Sequence, residues 1–226
     1  LAAGTVAFFR GVEISGEFLR PRLERALSAA FGLPTRLEGP LTLRTGRTAT
    51  LAADALVVGD PSAGERATLG RGIRPSARID LAALIGGSVV LEEVTGERLE
   101  LALARRTDGR ANWSPIFTRS PGGGEPSVTF DGIARLRIGR IVGSYRSEGA
   151  DPVPFEIADF DGQLPRHAPV AARGRFLSGG HGFAVEVRSA SLADFAAASA
   201  TVPLQGSIAW SGLRATRSLD MNVLMT

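Results

Sequence analysis

The sequence predicts a mainly β protein, an antiparallel meander with one amphipathic helix near its amino end. Three observations predict it. Apolar residues recur at every second position in segment after segment, one stretch alone has helical spacing, and Gly, Pro and Asp-Gly punctuation separates the segments. At 226 residues with 44% hydrophobic content, the chain suffices for one large β domain or two small ones with a packed core.

Leu1 to Arg10 opens the chain without an initiator Met. Its nine apolar or small residues fall short of the ~20 that a membrane helix needs, but they read as the end of one. At the other end, Leu219 to Thr226 stops inside an alternating strand. Both ends predict a piece of a longer, membrane-anchored protein.

Residues Ser15 to Gly32 predict the helix. Leu19, Leu23, Leu27 and Ala30 fall at three- and four-residue spacing, with Arg20, Arg22 and Arg25 on the other side. Pro21 belongs in the first turn, where a missing N–H does no harm, and Gly32 is placed as a C-terminal cap. The helix reads as a plug for the end of a sheet or as a membrane-surface helix, and the two are compatible.

Everything afterwards reads as strand and turn. Ile73, Ala77, Ile79 and Leu81 alternate with Arg74, Ser76, Arg78 and Asp80, and Leu99, Leu101 and Leu103 with Arg98, Glu100 and Ala102. Val89 to Val94 and Glu97 to Arg106 read as separate strands. Thr107-Asp108-Gly109-Arg110 is a two-residue hairpin signal, after which Trp113 is expected to pack on the apolar face, with no second aromatic at strand spacing. Ser120 to Ser127 is a Gly/Pro-rich loop. Beyond it, Ala134, Leu136 and Ile138 alternate with Arg135 and Arg137, and Phe183, Val185 and Val187 with Glu186 and Arg188. Leu204, Ile208 and Trp210, then Leu219, Met221, Val223 and Met225, continue the pattern, and Gly179-Gly180-His181-Gly182 marks a hairpin. The expected organisation is a remnant after an anchor at 1–14, helix and β region at 15–119, loop at 120–127 and continuing sheet at 128–226.

Strict alternation leaves one apolar face to be covered, and a helix of about four turns covers only a few strands at ~4.8 Å spacing. Either the sheet folds over on itself as a sandwich, or it curls into a gutter open to apolar molecules. Periodicity does not choose.

Composition removes several function classes. The pI of 10.7 suggests a nucleic-acid partner, but 26 basic against 23 acidic residues leave a net charge of only +3. All the basic residues are Arg, so nothing titrates between His and the guanidinium range and a small excess drives the pI up. The arginines are scattered, and no nucleic-acid binding is expected. Arg66, Arg71, Arg74 and Arg78, with Arg105, Arg106 and Arg110, read as a solvated sheet face or as contacts for anionic headgroups. Without Lys there is no Schiff-base lysine or phosphate-loop lysine, and without Cys no thiolate nucleophile, disulfide or Cys-ligated zinc. No nucleophile elbow or His-Glu-x-x-His helix occurs. His167 and His181 sit in a Pro-flanked loop and a Gly-rich turn, and the adjacent Glu92 and Glu93 point to opposite sides of a strand. No catalytic residue, metal site or cofactor is expected.

Asp80-Leu81-Ala82-Ala83-Leu84-Ile85-Gly86-Gly87, then Val89 to Val94, Glu97 to Arg106 and Arg106-Thr107-Asp108-Gly109-Arg110-Ala111-Asn112-Trp113 together resemble the amino-terminal region of the AsmA-like family. These are bacterial envelope proteins related to bridge-like lipid-transfer proteins. Leu23 to Leu43, Ala53 to Pro61 and, more loosely, Phe155 to Pro165 and Pro203 to Gly206 extend the resemblance. The chain departs from the family's Thr-Gly-Arg helix ending with Ala30-Phe31-Gly32-Leu33-Pro34. The resemblance implies a curled sheet with an apolar groove, a periplasmic body anchored to the inner membrane, and a role in moving phospholipid or another apolar lipid between membranes, with envelope proteins as possible partners. Its groove candidates are Leu99, Leu101, Leu103, Leu136, Ile138, Phe183 and Val185. The alternative is a non-enzymatic scaffold or assembly factor for outer-membrane biogenesis, with a closed sandwich and a dry core.

Overall fold

The computed structural model describes residues 12–46, 48–59, 68–79, 88–105, 107, 111–114, 129–165, 167–178, 181–191, 201–210 and 213–224. The expectations for the anchor remnant at 1–10, Leu81 and its Leu-rich turn, Arg66, Arg106, the Asp108-Gly109-Arg110 turn, the loop at 120–127, Gly179-Gly180 and Met225 lie outside these residues. Among the described residues the fold is mainly β, with one large, mixed but mostly antiparallel sheet that does not close, and one short helix near the amino end. In chain order the elements are β1 (Glu13–Ser15), a 3-10 turn (Glu17–Leu19), α1 (Arg20–Phe31), β2 (Thr35–Glu38), β3 (Thr42–Arg44), β4 (Ala49–Ala52), β5 (Ala55–Gly59), β6 (Thr68–Ile73) and β7 (Ser76–Ile79). Then come β8 (Ser88–Arg105), β9 (Thr129–Ser147), β10 (Val153–Pro165), β11 (Val170–Ser178), β12 (His181–Ser189), β13 (Thr201–Trp210) and β14 (Leu213–Leu224).

The helix is where its pattern placed it. Pro21 lies in its first turn and Gly32 closes it in the left-handed region at φ 67°. Leu19 and Leu23 pack on the core of Leu41, Leu51, Ala53 and Ile79, with Leu37, Leu43 and Leu91 around it. Burying each of the large aliphatic side chains contributes about 1.5–3 kcal/mol relative to leaving it in water. A second stripe, Glu17, Arg20, Glu24 and Ser28, does different work. Among the described strands β2 pairs only β5, which leaves its other edge without a described strand partner. Along that edge Glu24 Oε1 accepts the Leu37 N–H at 2.8 Å and Ser28 Oγ the Thr35 N–H at 2.8 Å, while the Arg20 guanidinium donates to the carbonyls of Leu37 and Gly39. Glu17 accepts from Arg20 at 2.6 and 2.8 Å and from the Leu41 N–H at 2.7 Å. Glu24, Ser28 and Arg20, the last held by Glu17, thus stand in for a strand along this edge, which is how an exposed edge is protected. Arg20, expected on the solvent side, is part of this clamp.

β8 is the central strand. It runs unbroken through Thr95-Gly96, so the two short strands expected there are one. One edge pairs β7 and then β6, and the other pairs β9 along almost its whole length in parallel, Ser88 opposite Thr129 and Arg105 opposite Ser147. Among the described strands the antiparallel order is therefore interrupted at β8 and β9, which run in the same direction. Alternation is the same for either strand direction, so the pattern cannot announce this. Among the described strands, all other pairs are antiparallel.

Two rows of directly paired residues cross the sheet on the helix side. One runs Leu37, Leu56, Gly72, Leu99, Ile141, Ile157, Phe176, Phe183, Trp210. The other runs Leu43, Leu51, Ala77, Val94, Leu136, Gly162, Ala172, Val187, Gly206, Leu219. In β11 the rows are four positions apart (Ala172 to Phe176), so both lie on one face. In β10 they are five apart (Gly162 to Ile157), as in β9 (Leu136 to Ile141), β8 (Val94 to Leu99), β7 and β6 (Ala77 to Gly72), and β4 and β5 (Leu51 to Leu56). Each of these strands carries one extra residue at the same level, a seam of bulges. Its marks are Arg74 at φ 48° before Pro75, Asp159 at φ 54°, and Gly139 and Arg140, both exposed between the buried Ile138 and Ile141. The seam corrects the expected alternation: Ile73 lies on the face opposite Ala77, because Arg74 adds a residue between them; Ala134, at a separate register shift between Ile133 and Leu136, is exposed.

Two outcomes test these contacts. The Glu17 carboxyl is pulled down to about 2, first by the Arg20 hydrogen bond and then by the Leu41 N–H, against an ordinary value of 4.5. A depressed carboxyl stabilises the fold above its unfolded value and loses that contribution as pH falls. Thermal melts of the wild type and Glu17→Gln should therefore differ by a constant amount above pH 5, and the gap should close between about 4.5 and about 2. A gap that persists unchanged to pH 2 contradicts the clamp. Second, a Cβ on Gly143 would lie 2.5 Å from the Phe155 ring and 2.7 Å from the Leu101 carbonyl oxygen, whereas one on Gly72 meets nothing nearer than 4.0 Å. In urea titrations, Gly143→Ala should cost about 1–3 kcal/mol, and Gly72→Ala should be neutral or stabilise by about 0.4–1 kcal/mol.

Candidate functional site

The sheet is two-sided. On the side of the two rows stand Val94, Leu99, Leu101 and Leu103 from β8, and Leu136, Ile138, Ile141 and Tyr145 from β9. β10 adds Val153, Phe155, Ile157 and Phe160, β11 Val170 and Phe176, and β12 Phe183, Val185 and Val187. Between Val94 and Leu103, Leu136 and Tyr145, Val170 and Phe176, and Phe183 and Ser189, no charged residue takes this face outside the seam positions. All seven sequence candidates fall on it. Ile138 is buried, while Leu99, Leu101, Leu103, Leu136, Phe183 and Val185 are half-buried. From β10 to β12 none of the described apolar side chains is fully buried; Val153 is 62% exposed, and Ile208, opposite Val185 on β13, is 39% exposed.

Several residues of this face were missed. Ile141 breaks the count that links Leu136 to Ile138, since the seam lies between Ile138 and Ile141. Val153, Phe155 and Ile157 do alternate, and that signal was present. Glycines lie under neighbouring side chains: Phe155 over Gly143, Phe160 over Gly162, Ile157 over Gly174 and Leu101 over Gly70. Large side chains thus lean into the gaps that glycine leaves, and the face stays continuous.

The opposite side carries the charge as a cross-strand lattice. Glu93, 16% exposed, lies 3.0 Å from Arg78 and 3.1 Å from Arg137. Asp161 takes Arg135 at 3.0 Å and Arg173 at 3.4 Å, and hydrogen bonding from Arg135 first, then from Arg173, holds its carboxyl below the usual range. Arg140 meets Glu156 at 2.6 Å and Arg71 meets Glu38 at 2.7 Å, while the seam residues pair as Arg74 with Glu97 and Arg175 with Asp159. Each exposed pair contributes about 0.2–1 kcal/mol. Arg71, Arg74 and Arg78 are thus spent on neighbouring strands. His167 and His181 are exposed, no group of three or more metal-ligating side chains occurs among the described residues, and no described helix is long and apolar enough to cross a membrane.

At the far end of β8, Arg105 bridges Ala111 in antiparallel sense. Beyond the reach of β6, Asn112 serves the free edge of β8: its amide donates to the Ala102 carbonyl at 2.6 Å and accepts the Ala104 N–H at 3.0 Å, and its own N–H donates to the Ala104 carbonyl at 2.9 Å. That fixes Trp113 against Tyr145, with ring centroids 6.1 Å apart at 46°. Tyr145 is the second aromatic that the sequence did not reveal, brought opposite Leu103 by the parallel pairing. Asn112→Ala should cost about 1–3 kcal/mol, and in a Trp210→Phe background should red-shift Trp113 fluorescence in the folded protein; an unshifted spectrum would mean that the indole is held without the amide.

No family model, no curated protein and no solved structure matches this chain. The AsmA-like resemblance rests on the residues quoted for it.

Proposed function

We propose that this protein is a non-enzymatic lipid-binding module that holds acyl chains on the charge-free face of β8 to β12. One observation carries the reading: an apolar face continuous from β8 to β12 remains half-exposed, with Val153 on β10 and Ile208 on the adjoining β13 open to solvent. Monomeric proteins rarely leave such an area to water without a ligand for it. The closed-sandwich scaffold reading needs a second layer over these residues, which would bury them.

Holding lipid there needs no chemical step. Each methylene laid on the face contributes about 0.8 kcal/mol, the headgroup stays in water, and a lining continuous across strands lets a chain slide without full exposure. The AsmA-like resemblance supplies the setting proposed for it, a periplasmic body on an inner-membrane anchor, passing phospholipid or another apolar lipid between membranes with envelope proteins as partners.

Mass spectrometry of organic extracts from the purified protein tests the reading against a similar-sized protein handled identically. Lipid should exceed the control, Leu101→Asp/Val185→Asp should reduce it to about background while keeping the β circular dichroism, and Ala184→Asp on the charged side should leave it unchanged. A clean extract from folded wild type, or unchanged lipid in the folded double variant, rejects the proposal.

A further inference from the structure

We propose that the outward side of the α1 start is a docking surface for an anionic phospholipid bilayer. Arg22 and Arg25 lie three positions apart on α1 and Phe18 in the 3-10 turn that leads into it, and all three are exposed, Phe18 at 66%. Val12, just before edge strand β1, and Ile14 on it are exposed at 43% and 42%, and Leu43, Ile14's direct partner, packs on the same core as Leu19 and Leu23. Three of the five large hydrophobic residues most exposed among the described residues therefore fall between positions 12 and 18.

The charge of this patch follows from the clamp on β2. Glu17 is bound to Arg20 and the Leu41 N–H, and Glu24 to the Leu37 N–H, so the helix turns its carboxylates toward the sheet. The stripe left facing outward carries two cations, with Arg25 Nε bound to the Pro21 carbonyl at 3.0 Å along the helix. Glu13 is an exposed acid on β1, on the face opposite Ile14. An aromatic side chain at headgroup depth flanked by arginines is the arrangement that binds an anionic lipid surface. This surface does not depend on the acyl-binding face and is tested apart from it.

Sedimentation with vesicles is the experiment. The wild type should bind phosphatidylglycerol/phosphatidylcholine vesicles, release them as salt rises, and bind pure phosphatidylcholine weakly. Arg22→Gln/Arg25→Gln should lower partitioning about thirtyfold, about fivefold for each arginine, and Phe18→Ser at least about tenfold. Leu101→Asp/Val185→Asp should sediment like wild type, which separates this surface from acyl-chain loading. Equal binding to both vesicle types, unchanged binding by both folded surface variants, or loss of binding in the Leu101/Val185 variant would each overturn the proposal.

Discussion

The structure depends on one constraint: a single apolar face must persist across strands that carry one residue more than alternation allows. A one-residue slip sends every following side chain to the wrong side. Here the slip is absorbed at the same level in β4/β5, β6/β7, β8, β9 and β10, and it ends at β11, where Arg173 and Arg175 flank the single residue Gly174 that spans the bulge of Ala158 to Asp161. Because neighbours share the extra residue, their registers stay constant on both sides of it, and no strand pays for it alone. Bulges bend a strand and raise its twist, so a stack of them bends the sheet along a line. The extra positions go to groups that tolerate water: Glu97, Gly139, Asp159, and Arg74 with its positive φ.

Edges are handled by side chains rather than by added strands. The Glu24, Ser28 and Arg20 groups serve β2, and the Asn112 amide serves β8 beyond its last pair with β6. In both places a short polar segment satisfies backbone groups that would otherwise recruit another chain. The same devices position the rest of the molecule. The clamp fixes which stripe of α1 faces out, and the Asn112 amide fixes where Trp113 meets Tyr145.

Local signals were legible. Pro21 and Gly32 bounded the helix, period-two alternation placed Leu99, Leu101, Leu103, Phe183 and Val185 on one face, and the interleaved arginines marked the other. What escaped was non-local. The seam becomes visible only when Leu136 and Ile141 are counted against Ala172 and Phe176 on a distant strand, since Ile138-Gly139-Arg140-Ile141 alone reads as the end of an alternation. The β8/β9 direction left no local trace, and with it went the Tyr145 partner of Trp113. Arg20 looked like any solvent-facing helix arginine because its acceptors are the Leu37 and Gly39 carbonyls, which carry no sequence signature.

The division of labour between the two faces has a thermodynamic consequence. The lattice around Glu93 and Asp161 pairs half-buried carboxylates with exposed arginines, each pair contributing about 1 kcal/mol or less, and the face behind them is only half-buried. Beyond the helix-covered core, this leaves the ladder hydrogen bonds and the partial burial of Ile157, Phe176, Phe183 and Val185 to hold the later strands. Such a sheet gains from anything that completes the burial, because a ligand that binds only the folded state stabilises it by mass action. A face kept free of charge from β8 to β12, yet only half-buried, thus has apolar area to gain from an apolar occupant. Stability and the proposed lipid binding draw on the same surface.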